Sequence, residues 1–482
     1  MIKSTSKKIL GPFALAMIAV VAIVDLRAIP MMAGLGFNAI FFYTLAALLY
    51  LIPSGLVCAE LSTHLHKPGG MYAWIYESFG EGVGFLAIWL EWLNNVIGYP
   101  ASLTFISVSL AYLFDPHAAE HKSLILGTTL VVLWVVTFFT SFGIRTSSRL
   151  NIMGATLGTL IPGAVIIILG ACWLFLGKPL QVQIDWHHVI PHWQNVNPGF
   201  FAAMILGFGG MHIVAFHTSN VYDPRVNYPK AIFAAVAIIF CVALFTSLAV
   251  ALVVPHDQLD LVLGLVDAFK RFFVSFNMPW ATPILVLMIV MSLVSTLNAW
   301  FLGPARGLVV AAHKGILPKI FAYTNKEDAP VTILIFQAVV VTLMSLVFLY
   351  GPDISSGFWI LLNLSSQTAL LVYSLILAAG IKQRFMRTQI NDHAYRIPGG
   401  KIGMCVVAGT GILTCMFALV TSFIPPDMVK TGSTFSYEMI LVGSNFVFLG
   451  IPFIIYLFRR KTRHSDMHAM EHEESSLVNM HS

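Results

Sequence analysis

The stretch VDLRAIPMMAGLG, residues 24–36, follows an apolar run, GPFALAMIAVVAI (11–23), that has the character of a membrane-crossing helix. Within six residues it places an acid, a base and a proline: Asp25, Arg27 and Pro30. Each is unfavourable in hydrocarbon, because charges there lose their hydration and proline removes a helix hydrogen bond. Gly34 and Gly36 follow, so the helix is interrupted close to membrane depth. Unwound backbone is tolerated there only where it lines a cavity or is buried in protein. A second interruption, GFGGMH (207–212), puts three glycines within four residues. Both fall in the first span of a five-span half of the chain. Broken helices at corresponding positions are the sequence mark of a transporter built on an inverted repeat, with its site between the breaks.

The composition sets the same frame. The chain has 482 residues, 58% hydrophobic and 10% charged, with mean hydropathy +0.83. A soluble domain carries about 25% charged residues. Apolar stretches of roughly 18–25 residues suit a hydrocarbon core of about 30 Å. Twelve spans are predicted, near 10–34, 38–63, 82–114, 122–142, 150–176, 197–220, 229–254, 279–302, 329–350, 355–380, 402–424 and 434–458. The transporter domain is read as residues 1–458, with repeat one at 10–176, repeat two at 197–380 and two extra helices at 402–458. The segment DQLDLVLGLVDAFKRFFVSF (257–276) is too charged to span and reads as a surface amphipathic helix. The tail 459–482 is basic, then His- and Glu-rich, and is expected to be disordered in part.

Leaving Arg27 aside, 21 Lys and Arg fall on the side of the N-terminus. Only five, Lys122, Lys178, Lys270, Arg271 and Lys430, fall on the other. The positive-inside rule then puts both termini in the cytoplasm. The net charge of +5 lies in short loops and does not indicate nucleic-acid binding. Cys58, Cys172, Cys241, Cys405 and Cys415 all sit in apolar runs and read as buried packing residues, with no disulfide or metal site. No phosphate-binding Gly-Lys-Ser/Thr loop, zinc-protease motif or nucleophile elbow is present, and no cofactor is implied.

Four stretches resemble the amino acid–polyamine–organocation transporters, most closely their bacterial glutamate/GABA antiporter branch. They are LRAIPMMA (26–33), KPGGMYAWIYESFG (67–80), YDPRVNYPKAI (222–232) and NAWFLGPARGLVVAAHKGILPK (298–319). The second is similar to the family's Pro-Gly-Gly-x-Tyr loop after span two. The resemblance implies the LeuT-type fold: twelve helices, a 5+5 inverted repeat with helices one and six broken, and two extra helices. It implies amino-acid exchange or proton-coupled uptake by alternating access in a bacterial inner membrane. It also implies that Arg27, Ala28, Ile29 and Pro30 lie at the turn that holds the substrate carboxylate in relatives. Gly207, Gly209, Gly210 and Met211 fall at the partner break, and Trp300 at an aromatic gate in span eight. Glu91, Asn95 and Tyr99, at i, i+4 and i+8 of span three, and Ser365 in span ten align with side chains that face substrate. One departure stands out: His212 occupies the position after the glycine turn where relatives carry an acid.

The charged residues leave two readings open. Asp25 and Arg27 point about 200° apart on a regular helix, so they meet only if it unwinds. Arg27 is either a structural ion-pair partner of Asp25 or Glu91, or a pathway cation that selects a carboxylate. Glu91, at membrane depth in AIWLEWLNNVIGY (87–99), reads as pathway-facing. Glu91, His212 and Asp25 are the coupling candidates. Glu60 reads as an interface residue at the cytoplasmic end of span two. In the tail, His464, His468 and His472 recur at helical spacing. The partners implied are a small amino-acid substrate, protons as candidate coupling ion, and the bilayer. Exchange and symport both stay open, as does the oligomeric state. A membrane-embedded amino-acid sensor is the rival from another class.

Overall fold

Helices cross lipid because each backbone N–H and C=O is paired within its own segment, and this chain is built from them. The computed structural model describes residues 10–24, 26–65, 69–114, 121–182, 189–191, 204–205, 207–255, 264–346, 354–386, 394–424 and 434–480. Side chains are described for these except residues 27, 144, 217–220, 224, 354–358, 434, 436 and 460–480. In chain order the helices are α1 (Pro12–Ile23), α2 (Ile29–Ala33), α3 (Asn38–His64), α4 (Met71–Phe79) and α5 (Glu81–Phe114). Next come α6 (Lys122–Thr140), α7 (Arg145–Phe175), α8 (Pro224–Val253), α9 (Gly264–Ser275) and α10 (Ala281–His313). Last are α11 (Val331–Ser345), α12 (Ile354–Met386), α13 (Gly400–Thr421) and α14 (Thr434–Met480).

Nine helices among the described residues are long and apolar enough to span a bilayer, and α1 and α11 are shorter apolar helices. These match eleven expected spans in order. The sixth, 197–220, is described only from residue 204, with a 3-10 segment at Met211–Asn220. In α5 and α12, 72% and 78% of the apolar window is buried, against 11% in α14. The first two therefore form the centre, and α14 presents its surface to lipid.

Several expectations need correction. Residues 71–79 are a buried helix, α4, where a loop was expected; Gly70 at φ +57 brings its start against Phe216. The spans expected at 150–176 and 279–302 belong to longer helices that begin at Arg145 and end at His313 respectively. The tail beyond residue 458 continues α14 to Met480; it holds no proline or glycine, and Glu, Met and Ala favour helix. Its three histidines lie beyond the described side chains. Cys241 is exposed and Cys172 and Cys405 are half-buried, because they sit on outer helix faces; Cys58 and Cys415 are buried. The amphipathic segment is present as α9. Phe269, Phe272 and Phe273 are buried against protein, and Lys270 and Arg271 are exposed.

Small residues set the closest helix contacts, as is usual within membranes. A Cβ on Gly158 of α7 would lie 2.6 Å from the Ser292 backbone nitrogen of α10. Glu60 proves to be more than an interface residue. It is buried, and its Oε2 accepts from Arg384 Nη2 of α12 at 3.0 Å and from the Ile397 N–H at 2.8 Å. Arg384 also donates to the Ile397 carbonyl at 2.7 Å. One buried pair thus ties α3, α12 and the segment before α13. Removing one member of such a pair leaves a buried group uncompensated and costs about 3–5 kcal/mol. Arg384→Gln is expected to lower the melting temperature of the detergent-solubilised protein sharply; an unchanged melting curve would refute the role given to the pair.

Candidate functional site

The first break follows from local chemistry. The last carbonyls of any helix lack partners within it. α1 ends at Ile23, Val24 turns to extended backbone at ψ 97°, and Leu26–Ala28 make one 3-10 turn. Pro30 then sits in the first turn of α2, where its missing N–H leaves no hydrogen bond unmade. Two of the orphaned carbonyls are met from α10: Thr296 Oγ1 donates to Val21 O at 2.7 Å and Trp300 Nε1 to Ala22 O at 3.0 Å. Thr296 and Trp300 are four residues apart and share one helix face. Trp300→Phe keeps the ring but leaves Ala22 O unpaired, a change of about 1–3 kcal/mol. Its expected result is a lower melting temperature together with weaker transport, measured on the same preparation.

The second break lies directly against the first. Gly210 has φ +118, and a Cβ there would come within 2.9 Å of Trp300 and 3.1 Å of Ile23. A Cβ on Gly209 would lie 2.2 Å from the Tyr373 hydroxyl oxygen. At Gly207 a Cβ would meet nothing within 4 Å, so that glycine is not required by packing. A backbone bridge links the outer ends of the two broken segments: Tyr222 N–H donates to Leu10 O at 3.0 Å. Between the breaks is a cavity of about 20 Å³ bordered by Ile23, Ala28, Ile29, Tyr43, Gly207 and Phe208. That is room for about one water, so the conformer is closed around its centre.

His212 and Glu91 meet at the second break, and neither borders the cavity. His212 Nε2 is 2.9 Å from Glu91 Oε1, and both side chains are buried, 2% and 0% exposed. The imidazole packs against Tyr373 at 5.5 Å and Trp300 at 6.0 Å between ring centroids. Glu91 Oε2 has no hydrogen-bond partner among the described residues. The couple can hold one proton on the imidazole or the carboxyl, or two if both are protonated. Asn95 Nδ2 donates back to Glu91 O at 2.7 Å, and the Tyr99 ring lies 4.3 Å from that of Phe301. Ser365 is bonded to Asn94 O at 3.0 Å and packs over Gly98 of α5. Met211 is buried at the start of the 3-10 segment. Asp25 and the side chain of Arg27 lie outside the described residues.

Comparison with known proteins bears on this arrangement. The amino acid permease profile matches residues 10–461. The chain belongs to the amino acid permease family. A protein of Legionella pneumophila designated an uncharacterized transporter is 42% identical, over 95% of this chain and 97% of its own length. A glutamate/gamma-aminobutyrate antiporter of Lactococcus lactis is 30% identical, over 93% and 90%. The putrescine transporter PotE of Escherichia coli is 24% identical, over 81% and 82%. The permease fold thus holds the paired breaks, the Trp300 wedge and the Glu91–His212 couple in one place. Sequence reasoning found Trp300, Glu91 and His212 but not that the last two bond to each other. It missed Tyr373, which fills the space vacated by Gly209, and Thr296. Neither carries any sequence signal, since one tyrosine and one threonine in apolar helices look like packing residues.

Proposed function

We propose that the protein is a secondary active amino-acid transporter of the glutamate/GABA-antiporter type, working by alternating access in a bacterial inner membrane with both termini cytoplasmic. The observation that carries this is the meeting of two interrupted helices at a closed cavity, with a buried carboxylate–imidazole pair at the second break. The Lactococcus antiporters, matched over most of both chains, support exchange as the mode. In this reading the substrate's α-carboxylate and ammonium meet the unpaired backbone groups of the two breaks near Ala28–Pro30 and Gly207–Met211. Arg27 selects a carboxylate, and Asn95, Tyr99 and Trp300 shape the pocket. Opening must precede binding, since a space for one water admits no amino acid.

The Glu91–His212 couple favours a second reading of the same site, in which a proton moves with the substrate. Counterflow in proteoliposomes tests the first. Vesicles are loaded with one unlabelled amino acid at a time, and entry of labelled glutamate, glutamine or GABA is followed at about pH 5.5 and 7.5, bracketing the ordinary histidine range. Entry that depends on internal amino acid is the expected result; ligand-induced thermal stabilisation without entry would replace the carrier with a sensor. Arg27→Ala is expected to abolish uptake.

A further inference from the structure

Away from the breaks, on the outer side of α5, a second cavity of about 430 Å³ opens between α5, α10, α11, α14 and the turn at Lys319–Ala322. Its volume lies in the usual range for small-molecule pockets. Trp89, Trp92, Phe321, Phe336 and Ile454 make its walls apolar, and Arg459 stands among them at the end of the apolar part of α14. The cavity borders the bilayer: Phe336 is 42%, Ile454 53% and Phe458 69% exposed. An ordinary lipid-facing groove would be filled by any hydrocarbon chain.

The charge at the edge of this groove asks for something more definite. Trp92 Nε1 is already satisfied by Gln337 Oε1 at 3.2 Å, and Gln337 is not part of the lining. Arg459 makes no ion pair among the described residues, and Arg460 and Lys461 follow it in sequence. Among the described lining residues the only charged group is Arg459, a cation. Hydrocarbon supplies no acceptor; phosphate and ester oxygens do. Basic residues at a membrane boundary are also attracted to anionic lipid.

We propose that this groove is a binding site for one anionic membrane phospholipid, with an acyl chain against Trp89, Trp92 and Ile454 and the phosphate at Arg459. The site has a route to function. Trp89 and Trp92 flank Glu91 on the same helix, so the lipid braces the outer face of the segment whose inner face holds the Glu91–His212 pair.

The test uses the full chain, delipidated in detergent and titrated with dioleoyl phosphatidylglycerol or dioleoyl phosphatidylcholine. Native mass spectrometry counts retained lipid, and melting temperature is read in parallel. One phosphatidylglycerol is expected to be retained per chain and to raise the melting temperature, with phosphatidylcholine several-fold weaker on both readouts. Arg459→Gln is expected to erase the difference between the two lipids while the protein still folds. Ile454→Trp, which fills the groove from its exposed edge, is expected to reduce retention of both. Equal retention of the two lipids by the unmodified chain would overturn the proposal. So would retention of phosphatidylglycerol by both variants at the unmodified level.

Discussion

Glu91→Gln is expected to abolish uptake driven by a pH gradient while leaving counterflow of one amino acid against another measurable. Gln keeps the volume of Glu91 and can still bond His212, whose Nε2 lies 2.9 Å from Oε1. What it loses is the ability to take up and release a proton. A carboxylate buried to 0% exposure in a spanning helix needs a reason, because it is costly at membrane depth. If that reason is proton movement, proton-driven uptake falls to background and the pH profile of exchange flattens. His212→Gln should flatten it in the same way, and the double variant should do no further harm, as expected for two groups acting as one unit. If the couple is a structural tie only, both variants lower the melting temperature and leave the pH profile as it was. The two readouts therefore separate coupling from scaffolding on one set of proteoliposomes.

Much of the architecture could be read from residues alone, and particular physical causes decide where that stopped. Pro30 and the Gly207–Gly210 cluster announce both breaks by their matching places in the two halves, since single prolines such as Pro100 and Pro304 lie inside unbroken helices. The apolar runs gave eleven of the twelve expected spans in order. The α4 helix was hidden because its nine residues are too few for a hydropathy signal, and it is buried only because Gly70 lets it turn in against Phe216. Glu60 looked peripheral because its partners Arg384 and Ile397 lie more than 300 residues away. The departure at residue 212 was visible, but its meaning was not: a histidine 121 residues from a carboxylate becomes its hydrogen-bond partner only when the second break meets α5. Ser365 shows the converse, a residue whose alignment suggests the site but whose hydroxyl is engaged by Asn94.

Substituting Ala at each glycine of the second break should give sharply unequal results. Gly207→Ala is expected to fold and transport close to normally, since its Cβ meets nothing within 4 Å and alanine favours helix. Gly209→Ala drives a methyl group to 2.2 Å from the Tyr373 oxygen. Tyr373 is buried, 3% exposed, with the His212 ring 5.5 Å away, so its displacement disturbs the Glu91–His212 pair. Gly210→Ala carries two penalties. Its Cβ would press on Trp300 at 2.9 Å, and its φ of +118 lies where a side chain is strained. Overpacking and backbone strain each cost about 1–3 kcal/mol. Transport should be lost in both variants, with the larger fall in melting temperature for Gly210→Ala. A Trp300→Phe background provides the internal check, because a smaller ring relieves the contact with residue 210 but not the one with residue 209. Partial rescue of Gly210→Ala alone is the expected outcome. Equal tolerance at all three positions would mean that the breaks do not touch in the working protein, and the site built on their contact would have to be abandoned.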